Sequence, residues 1–449
     1  MKAEIKDSLR RAILKCLPLL HQLSDRFLET GRVWSKRPDG GWQGEGRLMP
    51  SRLKIFIAAD AEIRSESTGF ESLFFTEYPE YSEGRLVGYD GTTYLQLAHD
   101  RALILRCALG CLWDRCQTFA CDEAAVERIV SEFAEFVDSP NIRVRFQAQL
   151  LNYRMHADTV NIGDMLTIRR LNDREITEFH GGSQTVGLSK RPSLDFGPIE
   201  FVIEGEVDVT KSFGGDLFRS KPLLEIAREQ FDKAVLCLRT FKGGSVGYDW
   251  VHFNFLKFCP CTLPSYRAFG LGIHPGVYWI SEQEINDLTN HAGQVFGLRE
   301  AALEIACARL ADAEARIRPQ DQILDAVIGM EAVLLAALEN EDRRSELKYR
   351  FSLNYSTLFS SPHERLEAFR TAKGFYDLRS RIAHGGERSK ASKVPGDKKM
   401  SLNEAARLAT EALRMLIKRF LPEANSPPYK RPTFWEHAYF GLVDSQDSF

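Results

Sequence analysis

From about residue 298 to residue 422 the chain keeps a helical period through five successive segments: 298–315, 319–338, 343–359, 362–384 and 401–420. Apolar residues return every three or four positions in each, with Pro, Ser and Gly at the breaks. A stretch so patterned folds as packed helices, because a strand would need alternation at every second position. The last third of the chain is therefore predicted to be all-α.

The fourth segment ends in Phe375-Tyr376-Asp377-Leu378-Arg379-Ser380-Arg381-Ile382-Ala383-His384-Gly385-Gly386. At ~100° per residue, Ala372, Phe375, Leu378 and Ile382 define an apolar face whose centre lies within about 50° of Arg379. Arg379 is thus expected to look inward. A guanidinium cannot shed its proton, so an inward one requires an anionic partner, a subunit interface or a ligand. Arg381 is placed on the outer face, four residues after Asp377, where an exposed ion pair contributes ~0.2–0.5 kcal/mol. His384 closes the helix, and Gly385 is placed to take the left-handed conformation that stops it. Two arginines and a histidine on the last turns of an apolar helix make a candidate phosphate-handling site.

A second anomaly lies in the segment 319–338. Leu324, Val327, Ile328, Leu334, Leu335 and Leu338 form a stripe, and Glu331 falls near its centre. A buried carboxylate without a partner is costly or stays protonated. Glu331 is therefore expected to face Arg379 or His384. Such a pair either orients two helices or holds Arg379 with free donors toward a phosphate, and both require proximity.

Taken together these residues resemble the HEPN superfamily, nucleotide-binding helical domains of higher eukaryotes and prokaryotes, and most closely its Apea-like branch. The family's Arg, four to six residues, His signature is matched by Arg379 and His384 within Tyr376-Asp377-Leu378-Arg379-Ser380 and His384-Gly385. The likeness extends to the preceding run Ile323-Leu324-Asp325-Ala326-Val327-Ile328-Gly329-Met330-Glu331-Ala332 and to the following helical segment 401–420. Many active relatives carry Asn, Asp or His directly after the arginine; this chain has Ser380.

The resemblance implies an all-α HEPN bundle and a metal-independent ribonuclease that needs no cofactor, since the RNA's own 2′-hydroxyl attacks the adjacent phosphorus. It casts His384 as general acid/base and Arg379 as stabiliser of the phosphorane charge, with Glu331, Ser380, Tyr376 and Arg381 in support. It further implies a homodimer with both motifs at one cleft. Relatives act in antiviral defence or toxin systems, so the N-terminal half would sense an unknown trigger or restrain the nuclease. Two other readings stay open: a non-catalytic HEPN module that binds RNA, nucleotide or protein and mediates dimerisation, and a purely structural dimerisation domain serving an unknown activity elsewhere in the chain.

Charge is uneven. The whole chain carries −3, yet residues 341–420 hold 18 Lys or Arg against 10 Asp or Glu, a local balance of +8 that suits a phosphate ligand. Solvated helix faces account for part of it. The loop after His384 adds Arg388, Lys390, Lys393, Lys398 and Lys399 against only Glu387 and Asp397, and these five are the candidate RNA-binding residues.

At 449 residues the expected organisation is multidomain α+β. Residues 1–155 form a mixed α/β region and candidate sensing module, 156–297 a middle α/β or α+β domain, 298–422 the helical domain, and 423–449 an aromatic tail that packs back on a domain or a second subunit. A helix is predicted from residue 2 to about 30, strands over 42–57, 73–78, 85–97, 165–171, 199–209 and 249–258, and helices over 122–136 and 223–241. Another helix is capped by Ser281 with Glu284 in capping-box register. No apolar run approaches the ~20 residues of a membrane span. The acids Glu4, Asp7, Asp25 and Glu29 argue against a targeting peptide, and nine cysteines, an odd number, fit reduced thiols in the cytoplasm. Cys107, Cys111, Cys116 and Cys121 lack Cys-x-x-Cys pairs, so they read as small hydrophobes rather than zinc ligands. Cys259 and Cys261 read as structural. His252, His274 and His291 have no ligand spacing, and no phosphate-binding glycine loop is complete.

Overall fold

The computed structural model describes residues 1–37, 42–83, 86–87, 93–95, 103–176, 200–211, 223–260, 277–337, 346–384, 400–431 and 433–442. Two compact units alternate along the chain. The first takes Met1–Gln149, Thr167–Glu229 and Asp249–Arg267; the second takes Leu150–Leu166, Gln230–Tyr248 and Ala268–Phe449. The architecture is mixed α/β, with strands in the N-terminal half and helices in the C-terminal third.

In the first unit the Ala3–Ser24 helix buries Ile5, Leu9, Ile13, Leu17 and Leu20, one stripe at helical spacing. The helices Asp60–Glu77, Leu103–Cys116 and Glu123–Asp138 surround that stripe. Phe70, Phe74 and Phe133 meet at ring distances of 5.3–6.0 Å in the core. The last of these helices begins where the Asp122 carboxylate accepts the Ala125 N–H at 2.8 Å. Strand Asn141–Leu151 pairs antiparallel with Phe201–Thr210, in register from Asn141↔Thr210 to Gln149↔Val202. Its other neighbour is Gly247–Phe255, and Leu166–Arg170 lies beyond Phe201–Thr210.

Several expectations for this region are corrected. The first helix ends at Ser24, and Leu28–Lys36 is already a strand, paired with Trp42–Pro50. The chain beyond Pro50 turns into the helix Arg52–Ala58, so the predicted strand 42–57 is half helix. Residues 73–77, predicted as strand, belong to the Asp60–Glu77 helix. The aromatic residues that suggested a strand, Phe74, Phe75 and Tyr78, pack against one another at 5.3–5.4 Å at its C-terminal end.

In the second unit the box at Ser281 forms as expected, Ser281 N–H donating to Glu284 at 2.9 Å, and leads into helix Ile285–Gly297. Then follow the helices Ala301–Ala315, Pro319–Leu334, Leu347–Ser356, Pro362–Ala383 and Leu402–Phe420. Ser361 and Ser401 cap the last two through reciprocal bonds with Glu364 and Glu404. Pro319–Leu334 is central, packing on Ala301–Ala315, Pro362–Ala383 and Leu402–Phe420. Gly329 permits the closest approach: a Cβ there would stand 2.7 Å from Leu413 Cδ2 and 3.0 Å from Arg309 Cβ.

The tail closes on this unit. Tyr429 is fully buried and donates its hydroxyl to the Glu300 carboxylate, which also takes Lys430 at 2.6 Å and the N–H groups of Ala302 and Leu303. Phe420, Tyr429, Phe434 and Trp435 stack edge to face around it. No helix among the described residues is long and apolar enough to cross a membrane.

Candidate functional site

The Pro362–Ala383 helix buries Ala368, Ala372, Phe375 and Leu378, the face expected from its spacing. Arg379 follows Leu378 at the edge of that face, with about a third of its side chain exposed (32%). Its Nη2 donates to Glu331 Oε2 at 3.4 Å across to the Pro319–Leu334 helix, so the two anomalies of the sequence meet. The contact is a single long one. Arg379 Nε is buried and its N–H donates to no partner, a state that typically costs about 1–3 kcal/mol. The guanidinium is therefore held at one corner and unsatisfied at another.

Glu331 is not at the centre of the buried face. Ile323, Ala326, Val327, Met330, Val333 and Leu334 line that face, while Leu324, Ile328 and Leu335 are half-buried and Glu331 sits at its margin with 19% exposure. The stripe is rotated from the one expected, because four helices rather than one pack on this segment. Burial still pushes the Glu331 carboxyl above the ordinary Glu value, and Arg379 opposes that rise. Tyr376, one turn before Ser380, is shifted upward by burial, further by the charge of Glu331, and back by Arg379, so it shares the field of the pair.

Arg381 and His384 are both exposed, and Ser380 is half-buried. His384 ends the helix, its N–H donating to Ser380 O at 3.1 Å. The expected Asp377–Arg381 pair is corrected: Asp377 takes Lys348 Nζ at 2.6 Å from the neighbouring Leu347–Ser356 helix. An interhelical partner was within reach, so Arg381 pairs with no carboxylate among the described residues.

Sequence reasoning predicted a helix over 343–359 but gave none of its residues a part in the site. Lys348 reaches Asp377, Phe351 packs on the Tyr376 ring at 5.5 Å, and Asn354 donates to Leu334 O at 2.7 Å. The spacing of Lys348, Phe351 and Tyr355 would have placed the first of these on the buried side of its helix. Arg388, Lys390, Lys393, Lys398 and Lys399 lie outside the described residues.

Elsewhere, His291 is a satisfied core histidine: its Nε2 lies 2.8 Å from Thr240 Oγ1, and burial pushes its pKa down to about 4. Cys16, Cys237, Cys259 and Cys307 are buried, and Cys107, Cys111 and Cys121 pack at the margin of the first unit's core. No group of three or more metal-ligating side chains occurs among the described residues. Comparison with protein-family models, with curated proteins and with solved structures finds no match to this chain.

Proposed function

We propose that the C-terminal helices form a HEPN-type ribonuclease domain that cleaves RNA without a metal ion. Arg379 is the group for the developing phosphorane charge and His384 the general acid/base, with Glu331 holding the arginine. Support comes above all from Arg379. A guanidinium anchored by one 3.4 Å contact and about a third exposed keeps unmet donors on its terminal nitrogens for an anion. The histidine five residues on is solvent-exposed, open to a phosphodiester chain too large to enter a closed cavity. The family likeness adds the 2′-hydroxyl mechanism, the dimer and a role in defence or toxin systems.

A competing role, helix packing alone within a non-catalytic binding module, draws on the same ion pair, since it ties two helices together. Incubation of the purified full chain with mixed RNA in EDTA separates the two. Cleavage should persist in chelator, leave 2′,3′-cyclic phosphate ends and stop at a 2′-deoxy position. His384→Ala should lose roughly 10²–10⁴-fold in rate. Equal cleavage by wild type and His384→Ala, or cleavage only with added divalent metal, favours the non-catalytic module.

A further inference from the structure

We infer that Arg350 is a second anion contact of the same site, so that RNA is gripped by a guanidinium from each of two helices. The inference rests on the ribonuclease reading and adds to it a residue outside the Arg…His signature.

Arg350 is half-buried, its Nε is shielded from water without a hydrogen-bond partner, and no carboxylate among the described residues pairs with it. Arg379 shares with it a buried Nε that makes no hydrogen bond, and has a carboxylate on only one corner. The placement of Arg350 follows from its neighbours. Asn354, one turn later on the same side of the Leu347–Ser356 helix, bonds to Leu334 O, at the last turn of the helix that carries Glu331. Phe351 lies against Tyr376, whose hydroxyl feels both Glu331 and Arg379. Lys348, two residues before Arg350, is spent on Asp377. Arg350 is thus the unspent cation on the helix that flanks the Glu331–Arg379 pair. A half-buried guanidinium with unmet donors is what a phosphate backbone satisfies, and two of them suit successive phosphates.

The test uses the full chain and a short 2′-fluoro RNA, which lacks the nucleophile and so reports binding alone. Arg350→Gln is expected to weaken binding about 3–10-fold and to flatten the slope of log K against log salt by about one, the signature of one lost phosphate contact. Arg350→Lys keeps the charge and should keep the slope, which a merely structural role would not distinguish. Should Arg350→Gln fold poorly by circular dichroism, the lysine variant decides: a slope reduced by one there overturns the inference. Unchanged affinity and slope in Arg350→Gln, with wild type still cleaving RNA, overturns it and leaves the ribonuclease reading standing. Wild-type protein that neither binds nor cleaves sinks both.

Discussion

Two arginine–carboxylate junctions in the second unit meet opposite fates. Arg414, on the Leu402–Phe420 helix, is 4% exposed: Nε donates to Arg239 O at 2.9 Å, Nη2 to Glu314, and Nη1 contacts Glu411 at 2.6 Å. Its neighbour Arg239 spends Nε and Nη2 on Val246 O and Nη1 on Ala311 O. Arg379 is half as well provided, with one acceptor at 3.4 Å and a stranded Nε. Residue type is the same in both places, and each leaves one buried nitrogen without a hydrogen bond, Nη1 of Arg414 and Nε of Arg379; what differs is the number of contacts around the rest of the group. A buried guanidinium with three contacts holds helices together, whereas a part-exposed one with a single long contact is a place where a ligand can add to the stability.

The largest expected effect tests that contrast directly. Arg414→Met should lower the unfolding free energy by ~3–5 kcal/mol, the usual consequence of breaking a buried pair, because Glu314 is left buried without its cation. Arg379→Met should lower it by only ~0.2–1 kcal/mol, the range of a solvent-screened pair. Urea unfolding of both variants reads the difference, and equal losses would abolish the distinction drawn here.

A second contrast is in pH. Burial works to raise the Glu300 carboxyl, but Lys430, Tyr429 and the N–H groups of Leu303 and Ala302 outweigh it and hold it below the ordinary Glu value. Its stabilising contribution is present above the unfolded-state value near 4.5 and is lost as pH falls through the lower folded one. Glu331 is raised, so its contribution is fully present below that unfolded-state value and is lost as pH rises through the folded one. Relative to Glu300→Gln, wild type should gain stability from pH 4 to pH 7; relative to Glu331→Gln it should lose some. Paired urea midpoints at the two pH values show whether the slopes have opposite sign.

The smallest effect concerns the outer face of the site helix. Asp377→Asn should cost under ~1 kcal/mol through Lys348, and Arg381→Ala should leave the unfolding midpoint unchanged. A coupled loss between positions 377 and 381 in a double-mutant cycle would restore the intrahelical pair that the geometry replaces.

Much of this was legible from residue spacing. The Leu223–Phe241 helix, the Ser281–Glu284 box and the helices of the last third follow from period and caps, since those signals are local. The meeting of Glu331 with Arg379 followed from electrostatic necessity, without knowledge of how the helices cross. What was hidden depends on partners far along the chain. Asn141–Leu151 places its apolar residues Val144, Phe146, Ala148 and Leu150 at every second position, with Gln147 and Gln149 buried between them, yet it is absent from the expected strands, and its partner lies some sixty residues away. Phe74, Phe75 and Tyr78 suggest a strand by composition and are helical by packing, because Phe70 and Phe74 stack one turn apart. Asp377 illustrates the limit at the site itself: a neighbour four residues away and a lysine on another helix were equally good candidates on paper.

The Arg239–Arg414 junction also sets a timetable for synthesis. Arg414 is 175 residues downstream of the carbonyl it must reach, and Ala311, which takes Arg239 Nη1, is 72 residues downstream of that arginine. At a ribosomal pace of about 5–20 residues per second, the first of these intervals lasts roughly 9–35 s. Throughout it the C-terminal end of the Leu223–Phe241 helix has emerged while the Arg239 carbonyl lacks the Arg414 donor that will seal it. A fragment that begins at residue 298 would inherit the mirror-image defect, with Arg414 facing an empty place where the Arg239 carbonyl belongs. Assays on the isolated C-terminal helices would therefore report on a domain missing one of its own walls.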